Sequence, residues 1–205
     1  MDKYLILVNE DNAFEKAMLD DFKMVKVKDT DGKTYMEEET HKAFEKLKKI
    51  MNEKYSIALS ITSAGRTVET QQNVYEEIKK QQGQKAADEL VATPGCSEHH
   101  LGLALDVGVH KISSQVEQNI YNSQILTKVA SKVKRISKSE KAEMYKKLHA
   151  ELAEFGFIVR YPEGKEEITK YDYEPWHLRY VGEELATELK NLDITLEEYY
   201  DLFVD

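Results

Sequence analysis

Two short segments of the chain contain the residue types that a catalytic metal site requires. In the first, His99 and Asp106 stand seven positions apart, with small and apolar residues between them. In the second, Glu174 and His177 stand three positions apart in a turn that contains a proline. Two imidazoles and one carboxylate can bind zinc and leave a fourth position open, and the second carboxylate can act as a base beside that position. The residues therefore predict a catalytic zinc site.

This prediction needs both segments, because a histidine and an aspartate at the first spacing are common by chance. We predict a strand at Leu103–Val109, which places Asp106 on a face that small neighbours keep open. His99 lies on the preceding loop and can fold back toward the same point. His177 would supply the third ligand, and Glu174 would take a proton from the attacking water.

The elements that would position these residues are helices and strands in mixed order. Apolar spacing predicts strands at residues 4–8, 56–62, 103–109 and 157–161, and helices at residues 37–51, 67–82, 85–91 and 139–155. A capping box at Thr195–Glu198 predicts the start of a last helix. Arg66 lies where the second strand meets the next helix, a place where side chains commonly point into a site. Because strands and helices do not alternate regularly, the order favours an α+β fold over a doubly wound sheet.

Length and composition are typical of one globular domain, which we place at residues 1–205. The sequence shows no internal repeat, linker or break in composition. A formal net charge of −9 argues against a general nucleic-acid binder. The single cysteine, Cys96, excludes an intramolecular disulfide. The single tryptophan, Trp176, is interpreted as packing beneath the site rather than stacking on a substrate.

The segment between the two motifs is harder to interpret. Its basic residues indicate a solvated helix face rather than a contact with a polyanion; they are Lys128, Lys132, Lys134, Arg135 and Lys138. The segment is also long enough to form a lid. Nowhere does the chain approach the ~20 apolar residues that span a bilayer, and its N-terminus lacks the features of a signal peptide. We therefore expect a cytoplasmic protein, with an exported form that has lost its signal as the alternative.

The two motifs together resemble a known family. Ser97-x-His99-x-x-Gly102-x-Ala104-x-Asp106 and Glu174-x-Trp176-His177 are similar to the signature motifs of the VanY-type zinc D-alanyl-D-alanine carboxypeptidases. The VanXY-type D,D-dipeptidase/carboxypeptidases and the L,D-carboxypeptidases share these motifs. The similarity covers roughly residues 56 to 182, including the strand-to-helix junction Arg66-Thr67-x-x-x-Gln71.

The resemblance implies a fold, a metal and a set of roles. The fold would be α+β of the Hedgehog and D,D-peptidase type, with a small antiparallel sheet that carries the zinc site between helices. The implied roles are zinc ligands His99, Asp106 and His177, catalytic base Glu174, oxyanion-stabilising Arg66, and peptide-binding Ser97 and Gln71. His100 stands where relatives often have glutamine, so we expect a supporting or exposed position for it. Gly65 stands where relatives often carry an aromatic residue, which changes one wall of the implied substrate pocket.

The expected function is a zinc metallopeptidase that removes the terminal D-alanine from peptidoglycan precursors or stem peptides, or splits the D-Ala-D-Ala dipeptide. In this family such hydrolases are linked to the cell wall and to antibiotic resistance. Three alternatives stay open: an L,D-carboxypeptidase, a stem-peptide endopeptidase, and a non-catalytic module that binds cell-wall peptides on the same fold. We expect a monomer without nucleic-acid partners or a transmembrane segment.

Overall fold

The computed structural model describes residues 3–29, 33–122 and 136–204, and an antiparallel sheet lies at its centre. The sheet contains β3 (Ile57–Ser63), β4 (Ala104–Lys111), β5 (Phe157–Val159) and β6 (His177–Tyr180), in the order β3-β4-β6-β5. Every neighbouring pair in it is antiparallel. A separate hairpin joins β1 (Met24–Lys28) to β2 (Lys33–Glu37).

Helices surround the sheet. The α-helices are α1 (Glu38–Tyr55), α2 (Val68–Gln82), α3 (Gln84–Leu90), α4 (Gln115–Asn122), α5 (Lys138–Glu151), α6 (Glu166–Thr169), α7 (Glu183–Leu192) and α8 (Leu196–Phe203). Short 3-10 helices cover Lys16–Leu19, Glu98–Leu101 and Leu152–Phe155. None of the helices in the described ranges is long and apolar enough to cross a membrane.

The main core lies between β4 and α1. Alternation along β4 buries Leu105 and Val107 on one face, so that Asp106 points to the other. The apolar stripe of α1 packs on the buried face through Phe44 and Leu47. The sheet can therefore present polar side chains on its open face while its other face stabilises the fold.

The predicted α+β fold with a small antiparallel sheet is confirmed. The predicted strands at residues 56–62, 103–109 and 157–161 correspond to β3, β4 and β5, and the predicted helices correspond to α1, α2, α3 and α5. The last helix begins directly after Thr195, which forms the N-cap of the predicted capping box. The hairpin, β6, α4, α6, α7 and the 3-10 helices were not predicted from sequence. Of the basic residues between the motifs, Lys138 is exposed at the start of α5, and the others lie outside the described residues. Part of the segment considered as a lid also lies outside them.

The predicted strand at residues 4–8 is wrong. Leu5, Leu7 and Val8 are buried, as expected for a strand, but the segment is irregular. Side chains, and not a neighbouring strand among the described residues, bond to its backbone. For example, the hydroxyl of Tyr200 accepts from the N–H of Leu7 and donates to the carbonyl of Leu5. A buried apolar run therefore marked the core correctly but not the backbone conformation.

Candidate metal centre and active site

Three elements bring His99, Asp106 and His177 together. Asp106 on β4 pairs directly with His177 on β6, so the two side chains share one face of the sheet. His99 comes from the 3-10 helix Glu98–Leu101, and its ring lies 5.0 Å from the His177 ring at 82°. One ligand atom from each residue lies within 4.8 Å of the other two. The predicted ligands thus form one cluster.

The orientation of His99 suits a metal ligand. Its Nδ1 lies 2.6 Å from the carbonyl oxygen of Ala64, so Nδ1 carries the proton and donates it to that oxygen. Its Nε2 is buried and has no hydrogen-bond partner among the described residues. Burial lowers the pKa of His99, and the positive charge of Arg66 lowers it further. His99 is therefore a neutral imidazole whose free lone pair faces the cluster.

Asp106 and His177 form the other side of the cluster. Asp106 Oδ1 lies 3.2 Å from His177 Nδ1, and Asp106 Oδ2 lies 3.6 Å from His99 Nε2. Burial opposes the ionisation of Asp106, but the two histidines outweigh it and hold the pKa of this carboxyl well below its usual range. Burial likewise opposes protonation of His177, but contacts with Asp106 and Glu174 raise its pKa to about 9.

These distances fit a zinc ion. Zinc bonds of about 2.0–2.1 Å in a tetrahedral arrangement separate neighbouring ligand atoms by about 3.4 Å. Each Asp106 oxygen faces one histidine nitrogen at close to that distance, Oδ1 from His177 Nδ1 at 3.2 Å and Oδ2 from His99 Nε2 at 3.6 Å. Two imidazoles, each with one buried nitrogen that has no hydrogen-bond partner among the described residues, and an ionised carboxylate are also the donor set of catalytic zinc sites.

Glu174 stands beside the three ligands. Its Oε2 lies 3.4 Å from His177 Nδ1. Two hydrogen bonds fix the turn that carries Glu174. The backbone N–H of Glu174 donates to the carbonyl of Tyr161 at 3.0 Å, and His149 Nε2 donates to the carbonyl of Pro175 at 2.9 Å. A carboxylate held at the edge of the ligand set is well placed to exchange protons with a reactant there.

Arg66 reaches the same site from the end of β3. The backbone N–H of Arg66 donates to the carbonyl of His99 at 3.1 Å, which connects the strand-to-helix junction to the turn that carries this ligand. Burial lowers the pKa of Arg66, while the negative charges of Asp106 and Glu174 act in the opposite direction. Its Nε is buried without a hydrogen-bond partner in the part of the chain that the structure describes. The guanidinium therefore retains a donor for another group.

Ser97 and Gln71 are buried, but neither side chain hydrogen bonds to the three predicted ligands within the described ranges. Gln71 lies on α2, where its Nε2 donates to the carbonyl of Ala92 at 2.7 Å. Its Oε1 is buried and unpaired among the described residues. The peptide-binding roles of both residues therefore stay predictions.

His100 has the supporting position that was expected. It is buried, and both of its ring nitrogens bond to backbone groups: Nδ1 donates to the carbonyl of Arg66 at 2.8 Å, and Nε2 accepts from the N–H of Gly95 at 3.2 Å. Trp176, in contrast, is 39% exposed, so the prediction that it packs beneath the site is wrong.

Sequence reasoning missed a buried ionic cluster next to the ligands. Glu98, Arg160 and Arg179 are each no more than 1% exposed. Burial opposes ionisation of Glu98, but the two arginines outweigh it and lower its pKa. A signal was available, because Arg160 and Arg179 each follow an apolar strand residue and precede a tyrosine. Charged residues in such buried positions almost always have partners.

Known proteins are similar to this chain in sequence. The sequence of the putative carboxypeptidase YodJ of Bacillus subtilis is 35% identical over 143 residues, which is 70% of this chain and 45% of that protein. The bifunctional D-Ala-D-Ala dipeptidase and D-Ala-D-Ala carboxypeptidase VanXYC of Enterococcus gallinarum is 34% identical over 172 residues, which is 84% of this chain and 80% of that protein. The chain thus spans less than half the length of YodJ.

A solved structure has the same fold. It is that of a mutant of the vancomycin-resistance D,D-pentapeptidase VanY, from a VanB-type resistance cassette, in complex with Zn(II). It superposes with a TM-score of 0.72 at 30% sequence identity, covering 96% of this chain and 98% of the other. Residues 33–183 match the sequence profile of the VanY family, described as D-alanyl-D-alanine carboxypeptidase. The chain therefore belongs to the VanY family.

Proposed function

We propose that the chain is a zinc-dependent D-alanyl-D-alanine carboxypeptidase or dipeptidase, which hydrolyses the terminal D-Ala bond of peptidoglycan precursors or stem peptides. The observation that carries this proposal is the cluster of His99, Asp106 and His177 with Glu174 at its edge. A non-catalytic module that binds peptides would have no need of this fourth group. The activities in the name of VanXYC support the choice of substrate.

His99, Asp106 and His177 would hold the zinc ion. When bound, zinc supplies a Lewis acid that polarises a carbonyl group and makes water easier to deprotonate. The protein residues do the remaining work. They hold the peptide, move the proton and stabilise the charge that develops on the carbonyl oxygen.

Glu174 would act as general base and then as general acid. It takes a proton from water as the oxygen of that water attacks the carbonyl carbon of the scissile amide. It then gives this proton to the amine nitrogen as the carbon–nitrogen bond breaks. A peptide substrate gives the shortened peptide and one D-alanine, and the dipeptide gives two molecules of D-alanine. Glu174 is then ionised again, as it was at the start.

Arg66 would stabilise the negative charge that forms on the carbonyl oxygen. Its unpaired Nε and its burial next to the site allow a strong hydrogen bond that water does not screen. The bonds of the Arg66 backbone to His99 and His100 fix the start of the side chain before substrate arrives. Such preorganisation raises the rate because little rearrangement is needed during the reaction.

The proposal is tested with purified, zinc-loaded protein and defined peptides. We expect D-alanine release from D-Ala-D-Ala or from a pentapeptide that ends in D-Ala-D-Ala, and loss of this release when a chelator removes the zinc. Mass spectrometry of the products identifies the bond that is cut. The control substrates are the same peptides with a terminal L-alanine.

Other outcomes point to the alternatives. Cleavage confined to a tetrapeptide with an L-residue before the terminal D-alanine would identify an L,D-carboxypeptidase. Cleavage inside the stem peptide would identify an endopeptidase. Stoichiometric zinc binding without cleavage of any of these peptides would contradict the enzyme and leave a binding module.

A further inference from the structure

Glu98 forms the centre of a buried ionic cluster directly before the ligand His99. One carboxylate oxygen, Oε1, accepts hydrogen bonds from Arg160 Nε at 2.8 Å and from Arg179 Nη1 at 2.7 Å. Each of these arginines also bonds to a group outside the cluster, and Arg179 does so with the carbonyls of Tyr4 and Ile6. Arg160 also bonds to both carboxylate oxygens of Glu197 on α8. This arrangement fixes Glu98 more firmly than a single ion pair would.

The second carboxylate oxygen has no partner. Oε2 of Glu98 is buried and makes no hydrogen bond within the described residues. An unpaired oxygen of a buried carboxylate is costly, so its presence calls for a missing donor. A second unpaired atom is His177 Nε2, which is also buried and without a hydrogen-bond partner in the described chain.

The sheet places these two residues on the same side. His177 and Arg179 are two positions apart on β6, so their side chains share one face. Since Arg179 bonds to Glu98, the Glu98 carboxylate lies over the face that carries His177. The His99 ring, from the residue next to Glu98, is already in edge contact with the His177 ring.

The chemistry of His177 requires an acceptor on this side. Its Nδ1 faces Asp106 and Glu174, at 3.2 and 3.4 Å, and is therefore the nitrogen that would bind a metal. A neutral imidazole that binds through one nitrogen carries its proton on the other. Histidines that bind metals almost always donate that proton to a carboxylate, a carbonyl or a water.

We propose that Glu98 is a positioning residue of the metal centre, whose carboxylate, held by Arg160 and Arg179, accepts the Nε2 proton of His177 through one water. The inference depends on the proposed zinc site. It gives the two arginines a role beyond stability, since they orient the Glu98 carboxylate, which in turn orients His177.

The test compares Glu98→Gln with a matched control, Glu197→Gln. Both changes remove one carboxylate that bonds to Arg160, but only Glu98 also bonds to Arg179, which shares a face of β6 with His177. In Glu98→Gln the amide oxygen stays with the arginines, so an N–H group replaces the oxygen that accepts the water-bridged proton of His177. We expect zinc affinity, measured by competition with a chromophoric chelator, to fall about 10- to 100-fold. Glu197→Gln should keep zinc affinity within about 2-fold of wild type, even if its thermal stability falls.

Equal zinc affinities of the folded Glu98→Gln and Glu197→Gln proteins would overturn the proposal. A second measurement avoids variants, in case Glu98→Gln does not fold. In zinc-loaded wild-type protein with ¹⁵N-labelled histidine, long-range ¹H–¹⁵N NMR spectra should show His177 protonated at Nε2 and bound to metal through Nδ1. The reverse assignment would also overturn the proposal.

These readouts are independent of peptide cleavage. If wild-type protein binds zinc with this histidine assignment but cuts no peptide, only the proposed enzyme activity fails. If wild-type protein binds no zinc at all, both the proposed function and the role of Glu98 are wrong.

Discussion

At the scale of single residues, the two histidines of the centre are fixed in different ways. His99 donates from Nδ1 to the carbonyl of Ala64 and presents Nε2, whereas His177 presents Nδ1 to the carboxylates. The carbonyl of Ala64 therefore selects the tautomer of one ligand, and surrounding carboxylates orient the other. Without Glu174, His99 would still be held by Ala64 and His177 would still face Asp106, so the role of Glu174 can be tested separately.

Glu174→Gln is expected to retain zinc and lose turnover. The amide is close in shape to the carboxylate but cannot accept a proton, so we expect kcat to fall by roughly 10²- to 10⁴-fold. Zinc affinity should change little, because the three predicted ligands remain. Zinc titration and peptide hydrolysis on the same preparation check both statements.

Glu163→Gln serves as the control, because Glu163 is an exposed glutamate in the turn after β5. It should behave as wild type in both measurements. Substantial activity in Glu174→Gln would show that another group is the base.

The residues of the centre could be predicted from sequence because their types and spacing are unusual in combination. The choice of ring nitrogen could not, since the carbonyl of Ala64 lies 35 positions before the ring that it fixes. The same holds for Glu98, whose partners Arg160 and Arg179 follow 62 and 81 positions later. A local pattern can mark such an arginine as buried, but which residue it contacts over this range depends on the fold.

At the scale of elements, the β1–β2 hairpin supports the strand-to-helix junction that carries Arg66. The N–H of Gly65 donates to the carbonyl of Tyr35 at 2.8 Å, and the Thr34 hydroxyl donates to the carbonyl of Gly65. The Tyr35 ring occupies the space where a side chain at position 65 would begin. The hairpin thus places an aromatic ring where Gly65 itself has none.

Gly65→Ala is expected to disturb this junction. Its Cβ would lie 2.5 Å from the Tyr35 carbonyl oxygen and nearer still to the ring, so the hairpin or the junction must move. We expect a loss of about 1–3 kcal/mol in the free energy of unfolding. Because Arg66 is adjacent, kcat/KM should fall by roughly 10-fold or more. Urea unfolding and peptide hydrolysis measure the two effects.

Tyr35→Ala combined with Gly65→Ala provides the control. Removing the ring leaves only the clash with the carbonyl, so the double variant should lose less stability than the sum of the two single changes. Additive losses would mean that the Tyr35 ring does not restrict position 65.

Elements with clear periodicity could be predicted, and short mixed ones could not. The buried residues of helix α1 recur every three or four positions, and burial alternates along most of strand β4. Strand β6 has four residues, His177–Tyr180, that are all buried, so no alternation marks it. It forms because β4 and β5 pair with it on both sides, and this pairing places His177 opposite Asp106.

At the scale of the whole molecule, the described ends of the chain are packed against each other and against the sheet. Arg179 Nη2 donates to the carbonyls of Tyr4 and Ile6, at 3.0 and 2.7 Å. The Tyr200 hydroxyl on α8 bonds to the backbone of Leu5 and Leu7. Residues close to the metal centre thus hold the N-terminal segment in place, while the apolar side chains of that segment pack against α7 and α8.

Tyr200→Phe should therefore destabilise the fold without changing the site. Its hydroxyl satisfies one carbonyl and one N–H of an irregular buried segment, and both would lose their partner. We expect the free energy of unfolding to fall by about 1–3 kcal/mol, with zinc affinity and kcat unchanged below the unfolding transition. Tyr199→Phe, on the same helix with its hydroxyl 3.3 Å from the exposed Glu188, should cost less. Equal losses in the two variants, measured by urea unfolding, would show that the N-terminal segment does not depend on the Tyr200 hydroxyl.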